Sequence, residues 1–199
     1  MSNASLPVRI GLLFGSFNPV HIGHLIVAQH MATRTDLTEV WFVLSPQSPY
    51  KVGHELLPEQ ARLDLLQAAI AGNALLHVTD VELHLPKPNY TITTLDALQL
   101  QHPHYKFVLL IGGDNLVGLA GWRDADRIQR EFDIYVYQRP GYPVPIDTNS
   151  DSRIRIVEAP LLDISATFIR QSIASGKSIR YLVPEVVEEQ IIGRGYWQQ

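Results

Sequence analysis

The 199-residue chain is 46% apolar with a formal net charge of −4, which suits one packed domain and excludes a broad nucleic-acid surface. It has no cysteine, so disulfides and thiol catalysis are excluded, and it has no run of about 18 apolar residues that would span a bilayer. Met1–Pro7 lacks the basic-then-apolar pattern of a secretory signal and reads as a disordered leader, so a cytoplasmic protein without membrane or nucleic-acid partners is expected.

The first element is the apolar run Val8–Phe14, which reads as a buried parallel strand. The small-residue turn Gly15-Ser16-Phe17 follows it, then Asn18-Pro19-Val20-His21-Ile22-Gly23-His24 opens a helical pattern that runs through Arg34. A turn of this kind aims backbone N–H groups at an anion, and the helix N-terminus adds partial positive charge. His21 and His24, three apart, share one helix face and reach one phosphate group. Gly23 between them offers no side chain to obstruct a ligand. A zinc site is the competing reading, but it needs a third ligand at metal spacing and none is evident. An isolated histidine is also often a satisfied polar residue near a core, so the strand–turn–helix context carries the phosphate reading.

Further along, Val40–Leu44 reads as a strand, Pro58–Ala71 as a helix, Leu76–Leu85 as a possible strand and Thr94–Gln101 as a helix. Phe107–Ile111 is a strand ending at Gly112-Gly113-Asp114, followed by a helix at Asp124–Arg130 and strands at Ile134–Tyr137 and Ile154–Val157. Gln138–Ser152, with three prolines, is the most loop-like stretch and is expected at the surface. Alternation of this kind predicts a doubly wound α/β fold, a mainly parallel sheet with helices on both faces, in a single domain over 1–199. Ligands of such sheets bind beyond the carboxyl ends of the strands, where the histidine turn falls. Residues 164–199 read as a C-terminal helical part. Within it Ser165 is a good N-cap for a helix that runs through Ile173 to a stop at Gly176. Thr167 and Arg170 share a face near that N-terminus, and arginine offers a planar fork for phosphate oxygens. Alone this segment reads equally as a capped helix with a surface arginine; it gains meaning beside the first motif.

Together the two segments resemble the nucleotidyltransferases of the HxGH superfamily, whose fold is Rossmann-like. The string His21-Ile22-Gly23-His24 also occurs in class I aminoacyl-tRNA synthetases, but their lysine-rich second signature is not found. From about Arg9 to Tyr196 the chain is similar to the bacterial nicotinate mononucleotide adenylyltransferases. Ser48-Pro49-Tyr50-Lys51, Asn89-Tyr90-Thr91-Ile92-Thr93-Thr94-Leu95, Gly112-Gly113-Asp114-Asn115-Leu116 with Trp122, and Arg180-Tyr181-Leu182-Val183-Pro184 match that family's middle and closing landmarks. Ser16, Asn18, Tyr50, Thr93 and Ala166 depart from its usual glycine, aspartate, histidine, aspartate and serine.

The resemblance implies an adenylyltransferase that joins ATP, with its Mg²⁺, to nicotinate mononucleotide, giving deamido-NAD and pyrophosphate. It implies catalytic roles for His21, His24 and Arg170. ATP contacts would come from Gly15, Ser16, Phe17, His21, His24, Gly112, Asp114, Ser165, Thr167 and Arg170. Lys51, Tyr90, Thr94 and Trp122 would face the mononucleotide, and no protein metal site is implied. Asp114 is locally as good a helix N-cap as a ribose ligand, and the resemblance favours the ligand. Trp122 would stack on the pyridine ring, though tryptophan is more often a core residue. A nucleotide-binding regulatory module and a transferase with another acceptor are the competing functions.

Overall fold

Apolar runs without polar alternation suit strands covered on both faces. The computed structural model describes residues 7–46, 56–138, 153–160 and 162–198. Within them β1 (Val8–Gly15), β2 (Glu39–Leu44), β3 (Leu76–Thr79), β4 (Tyr105–Gly112), β5 (Asp133–Tyr137) and β6 (Ile154–Val157) form one sheet. Its order is β3-β2-β1-β4-β5-β6, and every neighbouring pair is parallel. The chain winds outward in both directions from β1 and β4, so a crevice opens beyond their carboxyl ends at Gly15 and Gly112.

The pleat divides the core in two. Leu13 of β1, Val40, Phe42 and Leu44 of β2, and Val108 and Leu110 of β4 face one side. There they meet α1 (Ile22–Arg34), α2 (Glu59–Ile70), α6 (Ala166–Ala174) and α7 (Glu185–Gly193). Ile10 and Leu12, Val43, and Phe107, Leu109 and Ile111 face the other side, covered by α3 (Thr91–Gln101) and α5 (Ala125–Glu131). The short α4 (Gly113–Gly118) begins directly at the end of β4. The doubly wound fold read from the alternation of runs is the fold observed.

Two boundaries differ from the sequence reading. The possible strand Leu76–Leu85 pairs only over Leu76–Thr79 and then turns into a 3₁₀ segment at Val81–His84, which carries Glu82 inward. Helix α3 starts at Thr91, with Tyr90 as its extended N-cap residue, rather than at Thr94. A run of β-branched residues weakens the propensity signal at such a start. Of the loop read at Gln138–Ser152 only Gln138 is described, and the leader read at Met1–Pro7 lies outside the described residues except Pro7. No helix among the described residues is long and apolar enough to cross a membrane.

The amino-terminal end of the sheet is tied by charge instead. Arg9 binds Asp36 at 3.0 Å and Asp133 at 2.8 Å, and the Tyr135 hydroxyl joins them by donating to Asp36. This cluster lies at the opposite end of β1 from Gly15 and leaves the carboxyl end for chemistry.

Candidate active site

The turn after β1 is shaped by steric fit. A Cβ on Gly15 would lie 2.8 Å from the Phe17 ring, so only glycine lets that ring fold back under the strand. Phe17 takes a left-handed φ of 43° and is 2% exposed, its ring meeting Phe42 at 5.4 Å and His24 at 5.1 Å. The Phe17 side chain is therefore core, and the turn offers a ligand only the backbone of this residue. Gly23 has a similar reason for being small. A Cβ there would press on the His21 ring at 3.1 Å, so the glycine makes room for that histidine.

His21 occupies the N-cap position of α1 in extended geometry. Its N–H donates to Nδ1 of His24 at 3.2 Å, and the two rings stack with centroids 3.6 Å apart. An imidazole that accepts at Nδ1 carries its neutral-form proton on Nε2. His24 is thereby held as an Nε2–H donor, supported by the largely buried His21. The Ile22 N–H at the start of α1 donates to the Leu182 carbonyl at 3.0 Å. The C-terminal segment thus closes part of this helix start, and the side chains carry more of the phosphate-binding capacity than the bare N-terminus does.

The second motif reaches the first. Ser165 caps α6, its Oγ accepting from the Phe168 N–H at 3.2 Å. One turn on, Arg170 donates to the Asn18 carbonyl at 2.8 Å and to Thr167 Oγ1 at 3.2 Å. A guanidinium has five N–H donors, and these bonds leave three without a protein partner among the described residues. Partial burial draws the Arg170 pKa down from its ordinary value, as desolvation of a cation does. Asn18, buried where the family usually has aspartate, accepts the Leu57 N–H at its Oδ1, 3.1 Å away. An amide oxygen serves that acceptor role as a carboxylate would.

Across the crevice, Gly112 is the N-cap of α4, so Asp114 sits inside the first turn rather than capping it. Tyr90 and Trp122 both pack half-buried against the second core cluster, and the Arg123 guanidinium lies 4.6 Å from the Tyr90 ring centre. Thr94 is a correction. It is fully buried, its hydroxyl donates to Glu82 Oε1 at 2.8 Å, and its N–H donates to the Tyr90 carbonyl at 3.1 Å. Its side chain holds α3 in place and does not face a ligand. Lys51 lies outside the described residues.

Residues 12–172 match the family model described as cytidylyltransferase-like. A Cytophaga hutchinsonii protein named probable nicotinate-nucleotide adenylyltransferase is 47% identical over 194 residues, 96% of this chain and 98% of that one. A Flavobacterium johnsoniae protein of the same name is 40% identical over 193 residues, 96% of this chain and all (100%) of that one. This chain belongs to the nicotinate-nucleotide adenylyltransferases. The fold agrees: a solved Plasmodium falciparum nicotinic acid mononucleotide adenylyltransferase, complexed with NaAD, has a TM-score of 0.81 to this chain at 18% identity. The likeness spans 96% of this chain and 97% of that one.

In this adenylyltransferase three side chains near the site escaped the sequence reading. Arg62 sits in the apolar stripe of α2 with Leu65 and Leu66, and a cation in such a stripe is the signal that was there to find. Arg123 follows the tryptophan and has no local mark. Glu82 hid in an apparent strand. The residue is 3% exposed, and burial pushes its pKa above the ordinary carboxylate range despite hydrogen bonds from Thr94 and Ser45 that oppose the shift. A raised folded-state pKa means the native state holds the proton longer than the unfolded chain, so stability falls as pH rises through that window. Glu82→Gln keeps the acceptor for Thr94 and removes the ionisation. Its melting temperature relative to the parent chain should rise as pH climbs above the ordinary carboxylate range; a pH-independent difference would show that Glu82 ionises without cost.

Proposed function

We propose that this chain transfers the adenylyl group of ATP, in the cytoplasm, to nicotinate mononucleotide, giving deamido-NAD and pyrophosphate. The observation that carries the reading is the 2.8 Å bond from Arg170 to the Asn18 carbonyl, which brings two phosphate-facing motifs 152 residues apart onto one loop. A 5′-phosphate oxygen of the mononucleotide attacks the α-phosphorus of ATP. That O–P bond forms as the bond to the pyrophosphate oxygen breaks in line opposite it. The attacking oxygen is already anionic, so neither a general base nor a protein nucleophile is needed, and the work is positioning and charge neutralisation. His24 Nε2–H serves the α-phosphoryl oxygen, with His21 as its support. Arg170, Thr167 and the capped start of α6 hold the β- and γ-phosphates, and the Ser16–Phe17 backbone completes the cradle after Gly15. The donor set around these phosphates is cationic and amide, which suits the Mg²⁺ complex of ATP as substrate, the ion being held by phosphates and water.

On the acceptor side, Asp114 beyond Gly112 binds ribose hydroxyls, and Tyr90 and Trp122 flank the pyridine. The first-turn N–H groups of α3, at Thr91–Thr93, receive the ring carboxylate in place of Thr94. They have no intrahelical carbonyl to bond, and the Arg123 cation beside Tyr90 adds to the preference for an anion.

Pyrophosphate release from ATP across an acceptor panel tests the function. Release is expected with nicotinate mononucleotide and not with phosphopantetheine; no release with any acceptor would favour a regulatory binder. A finer test is Arg170→Ala. ATP binding should weaken by about 1.5–3 kcal/mol, the scale of a charge-assisted hydrogen bond, while acceptor affinity measured without ATP stays level. Calorimetry showing the reverse would move Arg170 to the acceptor side.

A further inference from the structure

Among the described side chains Arg62 stands apart. It is 1% exposed on α2, whose other buried residues, Ala61, Leu63, Leu65 and Leu66, are all apolar. Its guanidinium makes four bonds, all to backbone carbonyls. Nε donates to Leu57 at 3.0 Å, Nη1 to Ser16 at 2.7 Å and to Ser45 at 2.8 Å, and Nη2 to Pro46 at 2.9 Å. One rigid fork therefore joins three places: the turn after β1, the residues just beyond β2, and the segment that leads into α2.

No carboxylate lies within ion-pairing distance of Arg62 among the described residues. Burial lowers its pKa, with Glu59 acting the other way, yet a guanidinium stays charged in proteins. Burying a cation without a counter-ion is unfavourable even after relaxation, and carbonyl dipoles offset only part of that. A hydrophobic residue would serve packing alone at lower cost, so the charge needs another reason.

Geometry supplies one. In a trans peptide the carbonyl and the following N–H point in opposite directions. With the Ser16 carbonyl drawn onto Arg62, the Phe17 N–H is turned away from it. The neighbouring Asn18 carbonyl is held by Arg170, so two arginines fix two peptides of the same loop.

We infer that Arg62 is a positioning residue for the adenylyl donor: it sets the Ser16–Phe17 peptide and places a positive charge, ion-paired to no described carboxylate, behind the loop that receives the triphosphate. The inference rests on the reading of that loop as the ATP phosphate site. It assigns two separable roles, charge for affinity and fork geometry for turnover.

Arg62→Gln and Arg62→Lys, checked for folding by circular dichroism and thermal melting, separate these roles. With α,β-methylene ATP as the calorimetric probe, R62Q should bind at least about tenfold more weakly, while R62K, which keeps the charge, should bind within about threefold of the parent chain. R62K should nonetheless turn over about tenfold more slowly at saturating substrates, because it lacks the fork. Nicotinate mononucleotide binding without nucleotide should change less than about threefold in both. Folded variants that bind the probe and turn over like the parent chain would overturn the inference, as would equal losses for nucleotide and acceptor. If R62Q fails to fold, parent-like binding and turnover in R62K alone would overturn it. A parent chain that makes no dinucleotide would instead refute the functional reading, which separates the two failures.

Discussion

His24→Ala should leave the fold intact and lower kcat by about 10²–10³, the scale of one lost donor to a developing charge. The His24 ring is partly exposed, rests edge-on against Phe17 and stacks on His21, so its loss removes one cap bond at the start of α1 but no core side chain. What it supplies is a defined donor: the His21 N–H occupies Nδ1, so the proton sits on Nε2. The loss should fall on kcat and kcat/KM alike, as it does when an interaction belongs to the transition state rather than to ground-state binding. His24→Gln, which keeps a side-chain N–H donor, should recover part of the loss. Turnover of His24→Ala within about threefold of the parent chain at saturating ATP and acceptor would remove His24 from the chemistry.

The second large effect is discrimination at the acceptor ring. Nicotinate mononucleotide presents a carboxylate where its nicotinamide analogue presents an amide. An amide turns its own NH₂ donors toward some of the N–H groups that open α3, leaving buried donors unpaired, and the Arg123 cation gains nothing from a neutral group. Rejection on this basis reaches about 10⁴-fold in closed sites. The half-buried Tyr90 and exposed Arg123 mark a more open one. A kcat/KM preference for the acid of at least about 10²-fold, or about 2.7 kcal/mol, is therefore expected from side-by-side initial rates. Equal rates would assign a relaxed site and remove α3 as the determinant.

What could be read in the chain depended on whether the signal was local. The β1–α1 unit was legible because an apolar run, a glycine turn and two histidines at helical spacing lie within seventeen residues of sequence, Val8–His24. The Ser165 cap was legible for the same reason, and it forms as expected. Thr94 was misassigned because its decisive partner, Glu82, lies on another element, and the burial of the Phe17 ring against Phe42 was hidden for the same reason. No local pattern tells a buried threonine paired with a carboxyl group from a ligand-facing one. Distance likewise hides the bond from the Ile22 N–H to the Leu182 carbonyl near the far end of the chain. Arg62 lies between these cases. Its place in the apolar stripe of α2 was visible, but its four carbonyl partners belong to three separate segments and emerge only once the sheet is assembled.

Direct in-line transfer, arranged by His24 and Arg170 without a protein nucleophile, is the central claim, and the configuration at phosphorus tests it most directly. One diastereomer of ATP bearing sulfur on the α-phosphorus is turned over with nicotinate mononucleotide and Mg²⁺, and the thio-dinucleotide is analysed. A single in-line displacement predicts inversion at that phosphorus with equimolar release of unlabelled pyrophosphate. Retention of configuration would reveal two displacements through an adenylylated protein side chain and would contradict the account.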